Sequence, residues 1–593
     1  MYLKSQTIRK PNGRAYTYFR LVESYRQQGT VKHRVVGQLG RLTPDEARRL
    51  AHRFARVAGI DLPANDDELE LSGTMYFGPP LLVEHLMDQL HLNRWVKQAL
   101  ARRKLSFDVV GALKVMMCAH LFKSGSRAEL AVWDWQQKLF GHPHRTEDLD
   151  YQHLLRSLNI LVSIKDQVEE KLFLHLAGLF DLNVDLVFYD LTSTYVEGQA
   201  HWSELLKRGY SRDKRGDCKQ IVIGLVVTRE GFPVTFRVFE GNRLDQKTLK
   251  QMIGELKNRF QITRCIWVSD AGLMTEENLK VLKSSGYPFI LGMGGEVRKD
   301  AKNAIEKTKE IEQQEFKDAK FWDVVVAHTT KTKNEGEKGA DKGAPGKGTE
   351  LRRIVVVESE GRQKKTAAIF ERRLMKVRQG FEALEKKVKQ GKCVQKHDIQ
   401  VQAEKILHQC RVKKYFDYQA DDKVLIWQED TTAVEARKSN AGKYALMTNT
   451  DLPADQVLSA YRTLLAAEDA FLVLKDILDL RPVWHKCDEN VHGHVLLAVW
   501  SYLLYKTLET RMQQKGIHAS APRALNAIKE VKAVEVAIRD RAVWKLLKVP
   551  PEAKEAFEAI GVDDVKGPFK KWAANAPAYH YRPRLRPNHG CDL

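Results

Sequence analysis

The chain has 593 residues, and its 97 Lys and Arg against 76 Asp and Glu give a formal charge of +21. Hydrophobic residues make up 43% and aromatic residues 9%, which excludes a largely disordered chain, and no apolar stretch of about 18 residues predicts a membrane-spanning helix. Seven cysteines without a paired motif and an N-terminus without an apolar leader predict a cytoplasmic protein without disulfides. The basic excess favours nucleic acid as the partner.

The first two segments of the chain are basic and differ in their hydrophobic pattern. Residues 1–60 contain two alternating runs, at 16–22 and 32–37, that predict a β-hairpin. Over residues 61–181, apolar residues recur at spacings of three and four, which predicts helices. Because both segments are rich in Lys and Arg, we expect them to carry DNA binding.

A different pattern begins near residue 182, where continuous apolar runs are typical of strands buried on both faces. The predicted strands lie at 186–189, 221–227, 233–239 and 265–268, and the predicted helices lie at 246–259 and from about residue 275. Strand, hairpin, helix, strand and helix in this order predict an α/β domain with a mixed sheet. We place the first part of this core at residues 182–294.

The segment 295–450 is more charged and interrupts the α/β pattern, which predicts an inserted α+β subdomain. Its predicted helices lie at 364–391 and 397–410, and its predicted strands include 353–357 and 444–448. Within it, residues 331–348 carry no bulky apolar side chain and are expected to form a flexible loop.

After the insertion, the core is expected to resume over residues 451–548. A long helix is predicted from about 454 to 477, followed by further helices to about 547. Residues 549–593 are predicted to be a basic tail.

Three carboxylates are candidates for chemistry. Asp190 and Asp270 each follow a buried apolar run, the position at which α/β sheets place functional groups, although either one alone is more typical of a loop cap. In the long helix, Glu468 shares one predicted face with Leu465 and Leu472. A carboxylate in an apolar stripe needs a cation, which is either Lys475 two turns further along the helix or a metal ion.

Three such carboxylates in a basic protein suit hard divalent cations. Mg²⁺ prefers oxygen ligands, keeps several waters and binds substrate phosphates, so few protein carboxylates suffice. Two such ions would activate an attacking water or 3′-hydroxyl and stabilise the leaving oxygen of a phosphodiester. We therefore expect Asp190, Asp270 and Glu468 to bind Mg²⁺ or Mn²⁺.

Several ordered blocks of the sequence resemble those of bacterial insertion-sequence DDE transposases. The spacing of Tyr461, Glu468 and Lys475 is similar to the signature of the YREK class, the insertion-sequence-four superfamily. The other similar blocks are FYDLTSTYVEG (188–198), GYSRDKR (209–215) with Lys219-Gln220, FEGN (239–242), SDAGL (269–273), LVESYR (21–26) and RPV (481–483). The resemblance thus covers most of the chain.

The resemblance implies an RNase H-like core whose insertion separates the second Asp from the Glu. It assigns Asp190, Asp270 and Glu468 as the metal-binding catalytic triad, and it implies that Tyr461 and Lys475 contact the DNA end near the scissile phosphate. The sequence departs from the pattern at two positions. Leu464 stands where the signature has Arg, so that the nearest Arg for a DNA contact is Arg462, and Leu465 stands where many relatives have a Trp that handles a flipped base.

The function implied is that of a transposase that binds the terminal inverted repeats of its element, cleaves the ends and joins the 3′-hydroxyls to target DNA. Joining two ends requires a synaptic complex, for which at least a homodimer is expected, located at the bacterial nucleoid and away from membranes. Two alternatives remain open: an RNase H-like nuclease without strand transfer, and a DNA-binding protein with a degenerate core.

Overall fold

The computed structural model describes twelve stretches of the chain, namely residues 2–9, 15–27, 30–41, 69–122, 149–182, 185–198, 202–244, 247–293, 298–317, 319–331, 347–538 and 541–574. Apart from its ends, the predicted loop 331–348 lies outside the described residues, as does the tail beyond residue 574. Within these stretches, no helix is both long and apolar enough to cross a membrane.

The N-terminal segment forms a sheet of its own. Its strands β1 (Tyr2–Arg9), β2 (Ala15–Gln27) and β3 (Thr30–Arg41) are antiparallel and adjacent in chain order. The pairing of β2 with β3 forms the hairpin predicted from the alternating pattern. The next strand, β4 (Leu69–Tyr76), belongs to a different sheet that the C-terminal region completes.

Among the described residues, four helices precede the central sheet: α1 (Gly78–Gln89), α2 (Leu92–Leu100), α3 (Val109–Phe122) and α4 (Tyr151–Leu179). A reciprocal cap starts α4, because the Asp150 carboxylate accepts from the His153 amide at 2.8 Å and the His153 ring accepts from the Asp150 amide at 3.2 Å. The apolar faces of these helices belong to the same core cluster as the sheet. This helical region is therefore built into the body of the protein.

A nine-stranded mixed sheet lies at the centre of the molecule. Its first five strands are β5 (Leu186–Val196), β6 (Lys219–Thr228), β7 (Pro233–Glu240), β8 (Ile266–Ser269) and β9 (Phe289–Gly292), with α5 (Leu249–Asn258) and α6 (Glu276–Ser285) between them. An antiparallel meander, β5 to β7, is followed by two strands parallel to β5, in the spatial order β7-β6-β5-β8-β9. This is an RNase H-like core, and the predicted fold class is confirmed.

The inserted segment extends the core sheet before it forms a unit of its own. Its strands β10 (Gln314–Phe316), β11 (Ala319–Lys331), β12 (Lys347–Ser359) and β15 (Lys443–Thr448) continue the sheet beyond β9, with α7 (Arg298–Lys307) packed against them. Between β12 and β15 lie α8 (Glu360–Lys389), α9 (Lys396–Cys410), β13 (Phe416–Asp421), β14 (Val424–Glu429) and α10 (Thr431–Ser439), which share a separate hydrophobic core.

The expected long helix over 454–477 is interrupted. The chain forms α11 (Ala454–Arg462), α12 (Leu465–Leu472) and a π turn (Val473–Ile477). The Thr463 hydroxyl donates to the Ser459 carbonyl four residues earlier at 2.9 Å, and the Leu464 amide donates to the Tyr461 carbonyl at 3.0 Å. Such a side-chain bond and a tightened turn end the α-helical hydrogen bonding, so the prediction of one continuous helix is wrong.

The C-terminal region contains α13 (Asp488–Gln514), α14 (Ala521–Lys529), β16 (Lys532–Ile538), β17 (Arg541–Leu546), α15 (Pro551–Ala559) and α16 (Lys566–Ala573). The prediction of helices up to residue 547 is therefore wrong over 532–546, where β16 joins β17 to β4. Alternation in the run Lys532-Ala-Val-Glu-Val-Ala-Ile has the period of a strand. A partner strand more than 450 residues earlier completes this sheet.

Candidate active site

Two parallel strands of the core bring the two candidate aspartates to the same level. Phe188 of β5 pairs with Val268 of β8, and each aspartate lies two residues further along the chain. The Asp190 carboxylate accepts from the Leu191 amide at 2.7 Å, and the Asp270 carboxylate accepts from the Gly272 amide at 2.9 Å. Because β5 and β8 are adjacent and parallel, Asp190 and Asp270 lie at the same level, with Asp190 inside β5 and Asp270 directly after the end of β8.

The third carboxylate lies within electrostatic reach of the other two. Burial, followed by the charge of Asp270, raises the pKa of Asp190 to about 7, and Glu468 adds to this effect. Burial and the charge of Asp270 also raise the pKa of Glu468, with a further contribution from Asp469. The three carboxylates are therefore within range of mutual repulsion, and we refer to Asp190, Asp270 and Glu468 as the acidic cluster.

The environment of Glu468 differs from the sequence-based expectation. Leu465 is 58% exposed and Leu472 is 56% exposed, so Glu468 does not lie in a buried apolar stripe. The buried face of α12 consists instead of Ala467, Ala470 and Phe471. Spacing alone assigned these leucines to the core, whereas in the folded chain they are exposed together with Glu468.

Lys475 pairs with Asp213 and not with Glu468, so of the two cations considered for Glu468 the structure rules out the internal ion pair. Its ammonium donates to Asp213 at 2.8 Å, and the Arg481 guanidinium donates to the same oxygen of Asp213 at 2.6 Å. The Asp213 side chain is only 4% exposed and that of Lys475 only 10%. The π turn that contains Lys475 changes the phase of the side chains, which places this lysine over the 209–215 loop.

The aromatic member of the proposed signature lies against the core sheet. The Tyr461 hydroxyl is so close to Gly292 of β9 that a Cβ added to this glycine would lie 2.6 Å from it. Burial and the charge of Asp270 raise the pKa of Tyr461 to about 12, so its phenol is protonated at neutral pH. Tyr461 is therefore a neutral hydrogen-bond donor beside the acidic cluster.

Two further cations approach the cluster. The amide of Arg212 donates to the buried Ser193 hydroxyl at 3.0 Å, and the charge of Arg212 opposes the rise in the pKa of Asp190. From the inserted segment, the Arg362 guanidinium lies 4.5 Å from the ring centroid of Tyr444, which in turn is 6.2 Å from that of Tyr461.

The sequence pattern included the 209–215 block but predicted no role for Asp213, and it gave no indication of Arg362. A buried Asp between two cations is visible only in the folded chain. Leu464, which stands where the signature has Arg, is buried in the main core. The nearest arginine, Arg462, is half-buried at the end of α11.

The donor set of the cluster suits a hard cation. Asp190, Asp270 and Glu468 supply only carboxylate oxygens, and a divalent ion between them would relieve the repulsion that raises their pKa values. Across the residues that the structure describes, no three His, Cys, Asp or Glu side chains converge closely enough to hold one ion between them. An ion here would therefore rely on waters and substrate oxygens for the remainder of its coordination.

Comparison with known proteins identifies the family. A family model described as the transposase DDE domain matches residues 185–504, which is more than half of the chain and includes all three carboxylates, Tyr461 and Lys475. The chain belongs to the DDE transposase family. A second family model, the N-terminal domain of IS1634 family transposases, matches residues 3–60 of this transposase. The predicted insertion-sequence DDE transposase is thus confirmed, and the protein is a DNA transposase.

Solved structures also match this chain. The piggyBac transposase in a cryo-EM structure of its synaptic complex with hairpin DNA matches 86% of this chain and 87% of that chain, with 8% sequence identity and a TM-score of 0.35. No curated protein matches this transposase. Transposases with a DDE domain generally use divalent metal ions, which agrees with the donor set of the acidic cluster.

Proposed function

We propose that this transposase cleaves the ends of an insertion sequence and joins the 3′-hydroxyls to target DNA by divalent-metal-dependent transesterification. The observation that carries the proposal is the acidic cluster itself, in which Asp190 and Asp270 each lie two residues beyond the paired residues Phe188 and Val268 of adjacent parallel strands, and Glu468 lies within electrostatic reach. The proposed ions are Mg²⁺ or Mn²⁺, since all three ligands are carboxylates.

Within this proposal, each residue of the cluster has a defined task. Asp190, Asp270 and Glu468 would hold the ions, which when bound activate the attacking oxygen and stabilise the leaving oxygen. Tyr461 donates a hydrogen bond from its neutral phenol to a phosphate oxygen near the scissile bond. Lys475, held at the rim by Asp213, adds positive charge to the same strand of DNA.

Several finer assignments belong to the same proposal. We assign the protein to the YREK class, with Arg462 as the arginine nearest to the missing signature position and as a DNA contact. It acts on double-stranded DNA, both the terminal inverted repeats and the target, in a synaptic complex that contains at least a homodimer. Its place of action is the nucleoid in the bacterial cytoplasm.

Strand transfer of a pre-cleaved end into plasmid DNA tests this function. We expect the wild-type protein to join the end in Mg²⁺, and we expect the Asp190→Asn, Asp270→Asn and Glu468→Gln variants to bind the end without cleaving or joining it. Hydrolysis without joining would indicate an RNase H-like nuclease instead. Equal activity in the wild type and in all three variants would refute the triad, and end binding without any reaction in the wild type would indicate a degenerate core.

A further inference from the structure

The helix α8 of the inserted segment has two faces of opposite character. One face packs into the core of the insertion through Phe370, Leu374, Val377, Phe381 and Leu384. Outside this packed face the helix carries exposed cations at helical spacing, among them Arg362, Lys365, Arg372, Lys376 and Lys386. We refer to these five residues as the basic ridge. The solvent-exposed face of a helix needs only polar residues, so a row of positive charges without negative ones among them indicates a negatively charged partner.

Ion pairing on α8 avoids the basic ridge. Arg378, which is half-buried, donates to Glu371 at 2.9 Å and to Glu429 at 2.7 Å, and Lys389 pairs with Glu385 at 2.6 Å. Within the described ranges, none of the five ridge residues forms an ion pair with an acidic side chain. Glu371 and Glu385 therefore neutralise other cations, and the five ridge residues are exposed to solvent.

The ridge starts at the catalytic edge of the core sheet. Its first member, Arg362, lies over the ring of Tyr444. Burial and the charge of Asp270 raise the pKa of Tyr461, and the charge of Arg362 opposes this rise. The first turn of α8 fits there because residue 442 is a glycine with φ +86°, and a Cβ at this position would lie 2.6 Å from the Cβ of Gln363. The geometry thus leads a line of positive charge away from the acidic cluster.

We propose that the basic ridge binds the phosphate backbone of duplex DNA where the duplex leaves the active site. This inference rests on the proposed function and adds a DNA-binding surface to it. From residue 362 to residue 386, at about 1.5 Å per residue, the ridge spans about 36 Å, close to one turn of B-DNA at about 34 Å. Lys and Arg on a convex helix contact phosphates and not base edges, so this surface binds DNA of any sequence.

A pair of matched double variants of the full-length protein tests the ridge. R372Q/K376Q removes two charges from the ridge, and K364Q/K389Q removes two charges from the same helix that lie about 80° or more from Arg372 and Lys376 around the helix axis. All four residues are exposed, so both variants should unfold at the wild-type temperature. The measurement is the affinity in EDTA for a 40-base-pair duplex (about four helical turns) that ends in the inverted repeat bracketing the gene, as a function of salt concentration.

We expect R372Q/K376Q to lower the slope of log affinity against log salt by about 1.8, since each phosphate contact contributes about 0.9. Extrapolated from 1 M salt, this slope corresponds to a loss of affinity of up to about 60-fold at 0.1 M salt. The charge-reversed R372E/K376E variant should lose more affinity, whereas K364Q/K389Q should remain within a few-fold of the wild type.

Both kinds of DNA substrate are included in the test. If R372Q/K376Q binds the end duplex more weakly than the wild type does, the ridge binds the element end. If its affinity for the end duplex is normal but it captures less plasmid target, the ridge binds the target DNA. If R372Q/K376Q matches K364Q/K389Q in both assays, the proposal is wrong. A wild-type protein without strand transfer would overturn the proposed function but would leave the change in salt dependence intact, so the two failures are distinguishable.

Discussion

Replacement of Asp190 by Asn should stabilise the metal-free transposase at alkaline pH, although it removes a catalytic carboxylate. The substitution keeps the size of the side chain and the oxygen that accepts from the Leu191 amide at 2.7 Å. It removes a charge that burial and the neighbouring Asp270 and Glu468 disfavour. The prediction follows from the cost of holding three negative charges together without a cation.

The structure sets the size and the pH window of the effect. The pKa of Asp190 rises from 3.8 to about 7. Because the folded state binds this proton more tightly than the unfolded state, the stabilisation is complete below about pH 4 and is lost as the pH rises through about 7. A difference of about three pKa units corresponds to about 4 kcal/mol, an upper limit since the side chain is partly exposed.

The assay is thermal unfolding in EDTA at pH 5 and at pH 8. We expect the Asp190→Asn variant to unfold a few degrees above the wild type at pH 8 and to approach it at pH 5. In Mg²⁺ the wild type should gain stability and the variant should gain little, because the ion needs the carboxylate. Asp217→Asn is the control, since this exposed carboxylate lies outside the cluster and Arg215 lowers its pKa.

An Asp190→Asn variant that is no more stable than the wild type at pH 8 in EDTA would refute the repulsion argument. A stability difference that persists unchanged at pH 5 would point to a cause other than ionisation.

Three further predictions concern the rim, the metal and the N-terminal segment. Asp213→Asn should cost about 3 kcal/mol of stability and lower strand transfer more than tenfold, because it leaves Lys475 and Arg481 without their shared carboxylate. The control substitution Asp217→Asn in the same loop should change neither stability nor strand transfer, and equal effects of the two substitutions would contradict the buried-pair argument. Cleavage should stop in EDTA and return with Mg²⁺ or Mn²⁺, with little metal in the DNA-free protein by elemental analysis, and tightly bound zinc needed for cleavage would overturn this. Deletion of residues 1–60, the segment that matches a transposase N-terminal domain, should abolish the preference for the element end over random DNA, and a retained preference in competition binding would show that the specificity lies elsewhere.

The sequence alone predicted the fold class and the order of the core elements, because buried strands and amphipathic helices leave a local periodic signal. The runs before Asp190 and Asp270 predicted strands, and the structure adds that these strands are parallel neighbours in register. The sequence thus placed the members of the acidic cluster after two buried runs and on one helix, and the structure adds that the first strand continues for six residues beyond Asp190. The family resemblance supplied the expected roles of the three residues.

Tertiary structure decided what local periodicity does not encode. The Thr463 side-chain bond and the following π turn break a pattern that reads as one helix, so Lys475 pairs with Asp213, a residue 262 positions away, and not with Glu468. The alternation over 532–538 acquires its meaning only from β4, far away in the chain. Arg362 reaches the catalytic edge because β12 runs alongside β15 before α8 begins. In each case the deciding contact joins residues distant in sequence, and the energy of that contact exists only once the chain has folded.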